Sequence, residues 1–304
     1  MDYSEIISQL KRLDLSKYPR QEIKSLIGKL GQFGVIKMML HPGKVLIRAR
    51  PNVGDEKFNV RNQLSYKPAE FNKTYQRAST PSQTMFYAGT IPDDIQKGER
   101  DNARMIASLE ASNLLRDLDA EGEQTITFSK WVVTKDIPLM AICYRKDFTE
   151  KSSHTKELYE EYQKQILTQD KEMQEKSVAI TQFFAEEFGK NISNNAPDYN
   201  YMISAVFTEI IVKLRRGIEG VYYPSVRADG MGYNVAISPE YADNTLKLVA
   251  VGECKMYKKN KNTIVDNETV CLIDDDSKPF DLKPVSPEIH RGRENILQEL
   301  ERRK

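Results

Sequence analysis

The sequence predicts an α+β fold, and three observations carry that expectation. Short apolar runs of strand length, punctuated by proline or glycine, occur at Lys44–Arg50, Met85–Ala88, Leu139–Tyr144 and Asn234–Ser238. Elsewhere the apolar residues recur at helical spacing, at both ends of the chain and over residues 150–190 and 202–214. Two longer apolar runs, Thr245–Tyr257 and Thr263–Ile273, are separated only by Lys258–Asn262 and read as a hairpin.

Taken in order, residues 1–40 read as helical, with Ile6, Ile7, Leu10 and Leu13 on one face and Ile23, Leu26, Ile27 and Leu30 on a second segment after Pro19. His41-Pro42-Gly43 is a turn signal. The strand that follows, Lys44–Arg50, places Leu46, Arg48 and Arg50 on one face by its period of two. Two arginines there suit an anion site, and a solvated edge strand is the plainer reading. Residues 51–80 show little periodicity and read as a long connection, of a length that is usually functional or disordered. Thr125–Val133 is a strand that holds the only tryptophan, Trp131. Residues 150–190 read as one long or two shorter amphipathic helices, and Asn191–Asp198 as a breaker. Met202–Leu214 is a strongly apolar helix ending at Arg215-Arg216-Gly217. Gly220–Arg227 is a strand interrupted by Pro224, so Ser225 sits where the backbone leaves the sheet. A charged helix, Pro287–Lys304, closes the chain.

Composition narrows the function classes. The chain has 304 residues, which suits one large domain or two small ones. With 45 basic and 44 acidic residues the net charge is +1, which argues against a dedicated nucleic-acid binder. Three widely spaced cysteines fit reduced thiols better than a disulfide framework, and three scattered histidines are too few for a histidine-built metal site. No signal-like or membrane-length apolar run is present, so a cytoplasmic protein with no membrane partner is expected. There is no GxxxxGK[ST], no GxGxxG after a strand, no CxxC, no HExxH and no GxSxG.

The most informative stretch runs from Tyr75 to Leu115. After the short apolar run Met85–Ala88, a helix is expected to start near Asp101 or Asn102, both good N-caps. Ala103, Ile106, Ala107 and Leu114 form its apolar stripe, and Glu110 falls on that stripe. A carboxylate there is paired, neutralised or turned to a polar cavity. A structural ion pair with an internal arginine, or a stripe drawn through Leu109 and Leu118 instead, gives the plainer account.

Arg48 in LIRAR, Arg77 in YQRAS, Tyr87 in MFYAG, Glu110 in ASLEAS and Ser225 in GVYYPSVR follow one another in an order that resembles the RES domain family. The resemblance covers roughly residues 43–250. Ala49 follows Arg48 where some members carry an aromatic, which leaves the choice between Arg48 and Arg50 open, and the 150–190 insertion is a second departure.

The resemblance implies an ADP-ribosyltransferase-like core of mixed, mainly antiparallel strands, with helical additions at the N-terminus and at 150–190. It implies an N-terminal extension over 1–42, an NAD-processing domain over 43–258 and a C-terminal strand and helical tail over 259–304. The implied activity is cleavage of NAD at the nicotinamide–ribose bond by a toxin or defence enzyme, with no cofactor beyond NAD as substrate and no metal. An inhibitory antitoxin protein is the expected partner, and homo-oligomerisation is left open. Glu110, Arg48 and Ser225 take the catalytic roles. Arg48 and Arg77 would hold the pyrophosphate, Tyr87 would stack on nicotinamide, and Ser225 would fix the nicotinamide side. A protein ADP-ribosyltransferase using the same site, and an inactive binding module on the same scaffold, are the rival classes.

Overall fold

A computed structural model describes residues 2–81, 83–93, 102–193, 195–214 and 217–303. Asp101, Arg215 and Arg216, which the sequence assigns to helix ends, lie outside the described residues. The chain opens with α1 (Tyr3–Arg12) and α2 (Arg20–Lys29), followed by β1 (Ile36–Leu40) and β2 (Val45–Pro51). After α3 (Arg61–Leu64) come β3 (Phe86–Thr90), α4 (Ala103–Ala111) and α5 (Asn113–Arg116). Next are β4 (Gly122–Val133), β5 (Ile137–Ala141), α6 (Lys146–Thr149), α7 (Ser153–Ile166) and α8 (Lys171–Phe188). The chain continues with α9 (Met202–Leu214), β6 (Gly220–Pro224), β7 (Tyr233–Ile237) and α10 (Pro239–Thr245). It ends with β8 (Leu246–Lys259), β9 (Asn262–Leu272), β10 (Lys283–Pro284) and α11 (Arg293–Arg302).

These strands form one ten-stranded mixed sheet in the order β1-β5-β6-β7-β3-β2-β4-β8-β9-β10. Every pairing is antiparallel except β5 with β6. The fold is therefore α+β. Alternation along the strands separates two cores. Met140, Val221 and Tyr223 face the cluster built by α1, α2, α8 and α9, where Phe184 stacks on Phe207 with ring centroids 3.6 Å apart. Leu139, Ala141 and Tyr222 face the opposite cluster, which holds Trp131, Phe86 and Leu46.

Several expectations change. Residues 36–40 are an edge strand, not helix, with Ile36 opposite Ala141 and Leu40 opposite Ile137. Its ends are buried while Lys37 and Met39 face outward, an alternation a helical reading cannot produce. The 150–190 stretch is two helices, with Asp170 capping α8 by accepting from the Met173 amide. The expected boundary at 258 falls inside β8, and the hairpin turns at Asn260-Lys261, both with positive φ (51° and 62°). α1 and α2 share the apolar cluster of α9, the simple packing that is the plainer reading of their apolar faces. The short helices α3, α6 and α10 and the two-residue β10 carry no sequence signal that the periodicity reading registers.

Candidate active site

At the middle of the sheet β2 and β3 share a single register pair, Ile47 opposite Gly89. Beyond it the ladder stops, and a cavity of about 350 Å³ opens, lined by Arg48 and Ala49 on one strand and Tyr87 and Ala88 on the other. Its volume lies at the small end of the range for ligand pockets. The Arg48 Nη1 donates to the Tyr87 carbonyl at 2.9 Å, across the gap where ladder bonds would otherwise run. Its Nε is buried without a partner. Burial, then the nearby Arg50, lowers the Arg48 guanidinium to about 10, and it stays cationic at neutral pH. Arg50 is spent elsewhere. It pairs with Glu56 at 2.8 Å and lies over the Phe58 ring. Of the two arginines left open by the sequence, Arg48 is the one on the cavity.

The long connection before β3 is pinned, not loose. Gln76 bridges Ser79 and Thr80 bridges Gln83 in tight succession. The Tyr87 hydroxyl accepts from the Ala78 amide at 2.9 Å and shares a hydrogen bond of 2.9 Å with the Ser79 hydroxyl. Burial pushes the Tyr87 phenol up to about 12. Tyr87 lines the cavity with its hydroxyl fixed by these two bonds. Thr80 donates to Glu209, a carboxylate 1% exposed that also takes Arg20, Lys24 and Lys213.

Arg77 also lines the cavity, stacked 5.2 Å over the Tyr201 ring. Both of its terminal nitrogens donate to backbone carbonyls, Phe188 and Lys190.

α4 begins at Asn102, whose side chain accepts from the Arg104 and Met105 amides. Ile106 and Ala107 bury its stripe, and Glu110 reaches the cavity from the last turn. Two donors converge on one carboxylate oxygen: the Ser225 hydroxyl at 2.7 Å and the Asn234 amide at 2.8 Å, both to Oε1. The plainer account, an ion pair with an internal arginine, does not hold: Arg116 donates to the backbone carbonyl of Glu110, not to its side chain. Ser225 is fully buried behind Glu110, and its oxygen also accepts from the Ala228 amide. The turn after β6 points the Ser225 hydroxyl at the Glu110 carboxylate, and Ser225 is not among the residues that line the cavity.

The geometry adds residues that sequence reasoning passes over. Arg116 and Arg227 line the cavity, as do Tyr201, Tyr223 and Asn234. Burial and the neighbouring Arg227 lower the Arg116 guanidinium, with Glu110 opposing. Burial pushes the Tyr223 phenol well up, with Tyr87 and Glu110 adding to it. Asn234 had one available signal, a lone amide inside the apolar strand YNVAI.

Among the described residues the lining thus holds four guanidiniums and one carboxylate. Such an excess of cations that repel one another favours an anion. No group of three or more His, Cys, Asp or Glu placed to hold a metal occurs among the described residues. Among them, too, no helix is long and apolar enough to cross a membrane. No family model matches the chain, and neither a curated protein nor a solved structure matches it.

Proposed function

We propose that this protein cleaves NAD at the nicotinamide–ribose bond on an ADP-ribosyltransferase-like core, as a toxin-type enzyme held in check by an antitoxin protein. The carrying observation is the Glu110 carboxylate, held through one oxygen by Ser225 and Asn234 on the wall of a guanidinium-lined cavity. Breaking the glycosidic bond places positive charge on the ribose, as in glycoside cleavage. A fixed carboxylate stabilises that charge where it develops. With Oε1 taken by two donors, Oε2 remains to meet the ribose or its hydroxyl. Arg48 and Arg77 offer planar, charge-assisted donors for the pyrophosphate. Tyr87, its hydroxyl tied back, offers a ring face for nicotinamide. The ADP-ribosyl group then passes to water, phosphate or a protein side chain.

The test is nicotinamide release from NAD, followed chromatographically, by wild type and Glu110→Gln, with and without phosphate. Release by wild type and a fall of about a hundredfold or more in Glu110→Gln is expected. Equal release by the two proteins would remove Glu110 from the chemistry. ADP-ribose label appearing on a macromolecule would instead assign a protein acceptor.

A further inference from the structure

Many helices close on a left-handed glycine that folds the chain back on the last carbonyls. α8 does not. Gly189 follows it with φ −84° and ψ 1°, a conformation open to any residue. The last carbonyl of the helix and those just beyond it are taken by three guanidiniums instead. Arg77 donates to Phe188 and Lys190, Arg145 to Gly189 at 2.5 Å, and Arg227 to Ile192 and to the Asn191 side chain. Arg77 and Arg227 line the cavity. Arg145 stands behind, forked onto Asp147 at 2.8 and 2.7 Å and lying 4.1 Å over the Phe148 ring. A Cβ at 189 would overlap the Arg145 Nη1 and sit 3.0 Å from the Ala185 carbonyl. A side chain at 189 is opposed by the close approach of Arg145 and of the Ala185 carbonyl, not by the residue's own dihedrals.

We propose that the turn 188–192 is a carbonyl platform that aims Arg77 and Arg227 at the phosphates of an anionic ligand. Arg145 and Gly189 are positioning residues that act on the site from outside the cavity. The ligand's identity rests on the NAD reading, and its charge rests on the cavity itself. Arginine side chains are long and lose much rotamer freedom when fixed. The negative end of α8 and its free carbonyls hold two forks in place before the ligand arrives, which is where preorganisation raises affinity. The insertion at 150–190 thereby becomes a working part of the site.

The test titrates inorganic pyrophosphate by calorimetry into wild type, Gly189→Ala, Arg145→Ala and the double variant, with NAD turnover run beside it. Each single change is expected to weaken pyrophosphate roughly tenfold and to raise KM for NAD similarly, with kcat within about twofold. The double variant is expected to lose less than the sum of the two single changes, because the added Cβ then meets only the Ala185 carbonyl and no guanidinium. Arg145→Ala creates no overlap and decides the question should Gly189→Ala fail to fold. Unchanged pyrophosphate affinity in Arg145→Ala, or additive losses in a folded double variant, would overturn the platform. Wild type that binds pyrophosphate without releasing nicotinamide overturns the NAD reading alone, and the variant series still decides this inference. Wild type that binds no pyrophosphate overturns it outright.

Discussion

Two carboxylates, one buried and one half-buried, show how one residue type serves opposite ends. Glu209 sits among Arg20, Lys24, Lys213 and Thr80. Burial pushes its pKa up, but the hydrogen bonds from Lys213, Arg20, Lys24 and Thr80 outweigh it and hold the group at about 2. A carboxylate whose folded pKa is depressed adds stability above its unfolded pKa of 4.5, and that contribution is lost as pH falls toward 2. Glu209→Gln is expected to cost on the order of 3 kcal/mol at neutral pH. Its denaturant midpoint should converge on wild type between pH 4.5 and 2, a range set by the pKa of this group. Glu110 has donors on only one oxygen and faces a cavity, an arrangement that favours chemistry over cohesion. Asn234→Ala removes one of those donors. It is expected to lower kcat for NAD about tenfold to a hundredfold with KM little changed, in steady-state assays. Glu110 was legible in the sequence because it breaks an apolar stripe. Arg116 and Arg227 were not, since nothing local distinguishes a cavity arginine from a solvated one, and Asn234 was marked only by its amide inside an apolar strand.

At the scale of elements, local pattern located most strands and helices and failed where tertiary contacts decide. The β8–β9 hairpin was legible from two apolar runs and a polar link. Its turn places Asn260 and Lys261 at positive φ, the pattern that favours Asn-Gly. Lys261→Gly is expected to stabilise the protein by up to about 1 kcal/mol, the relief of left-handed strain less glycine's entropic cost, read from the shift in its thermal midpoint. Edge strand β1 was taken for helix because five residues are too few to separate the two periods, and only its pairing with β5 fixes it. The strand end at Pro224 was legible, yet the direction of Ser225 was not. A side chain one residue past a strand is aimed by the turn, and Ser225 accepts from Ala228 within that turn.

For the whole molecule, the N-terminal helices are part of the fold's stability. Ile6, Leu10, Ile23 and Leu30 are each no more than 1% exposed and lie in one cluster with Phe184 and Phe207. Burial of such side chains contributes about 1.5–3 kcal/mol apiece, so removing them approaches the roughly 5–15 kcal/mol that holds a domain together. Deletion of residues 2–30 is expected to abolish the cooperative unfolding transition seen by calorimetry. The sequence reading set this segment apart because its resemblance begins near residue 43, whereas packing follows apolar faces irrespective of that limit.

The lone register pair between β2 and β3 has a mechanical consequence. It divides the sheet into two plates of five strands that meet along a crease. Arg48 belongs to one plate, and Arg77 and Arg227 flank the other. A polyanion gripped by all three is a tie across the crease. Leu46, Phe86 and Trp131 pack across that crease and the Thr90 hydroxyl donates to the Val45 carbonyl over it, so the core clamps the plates together, and an anion held by all three arginines would brace the same line from the cavity side.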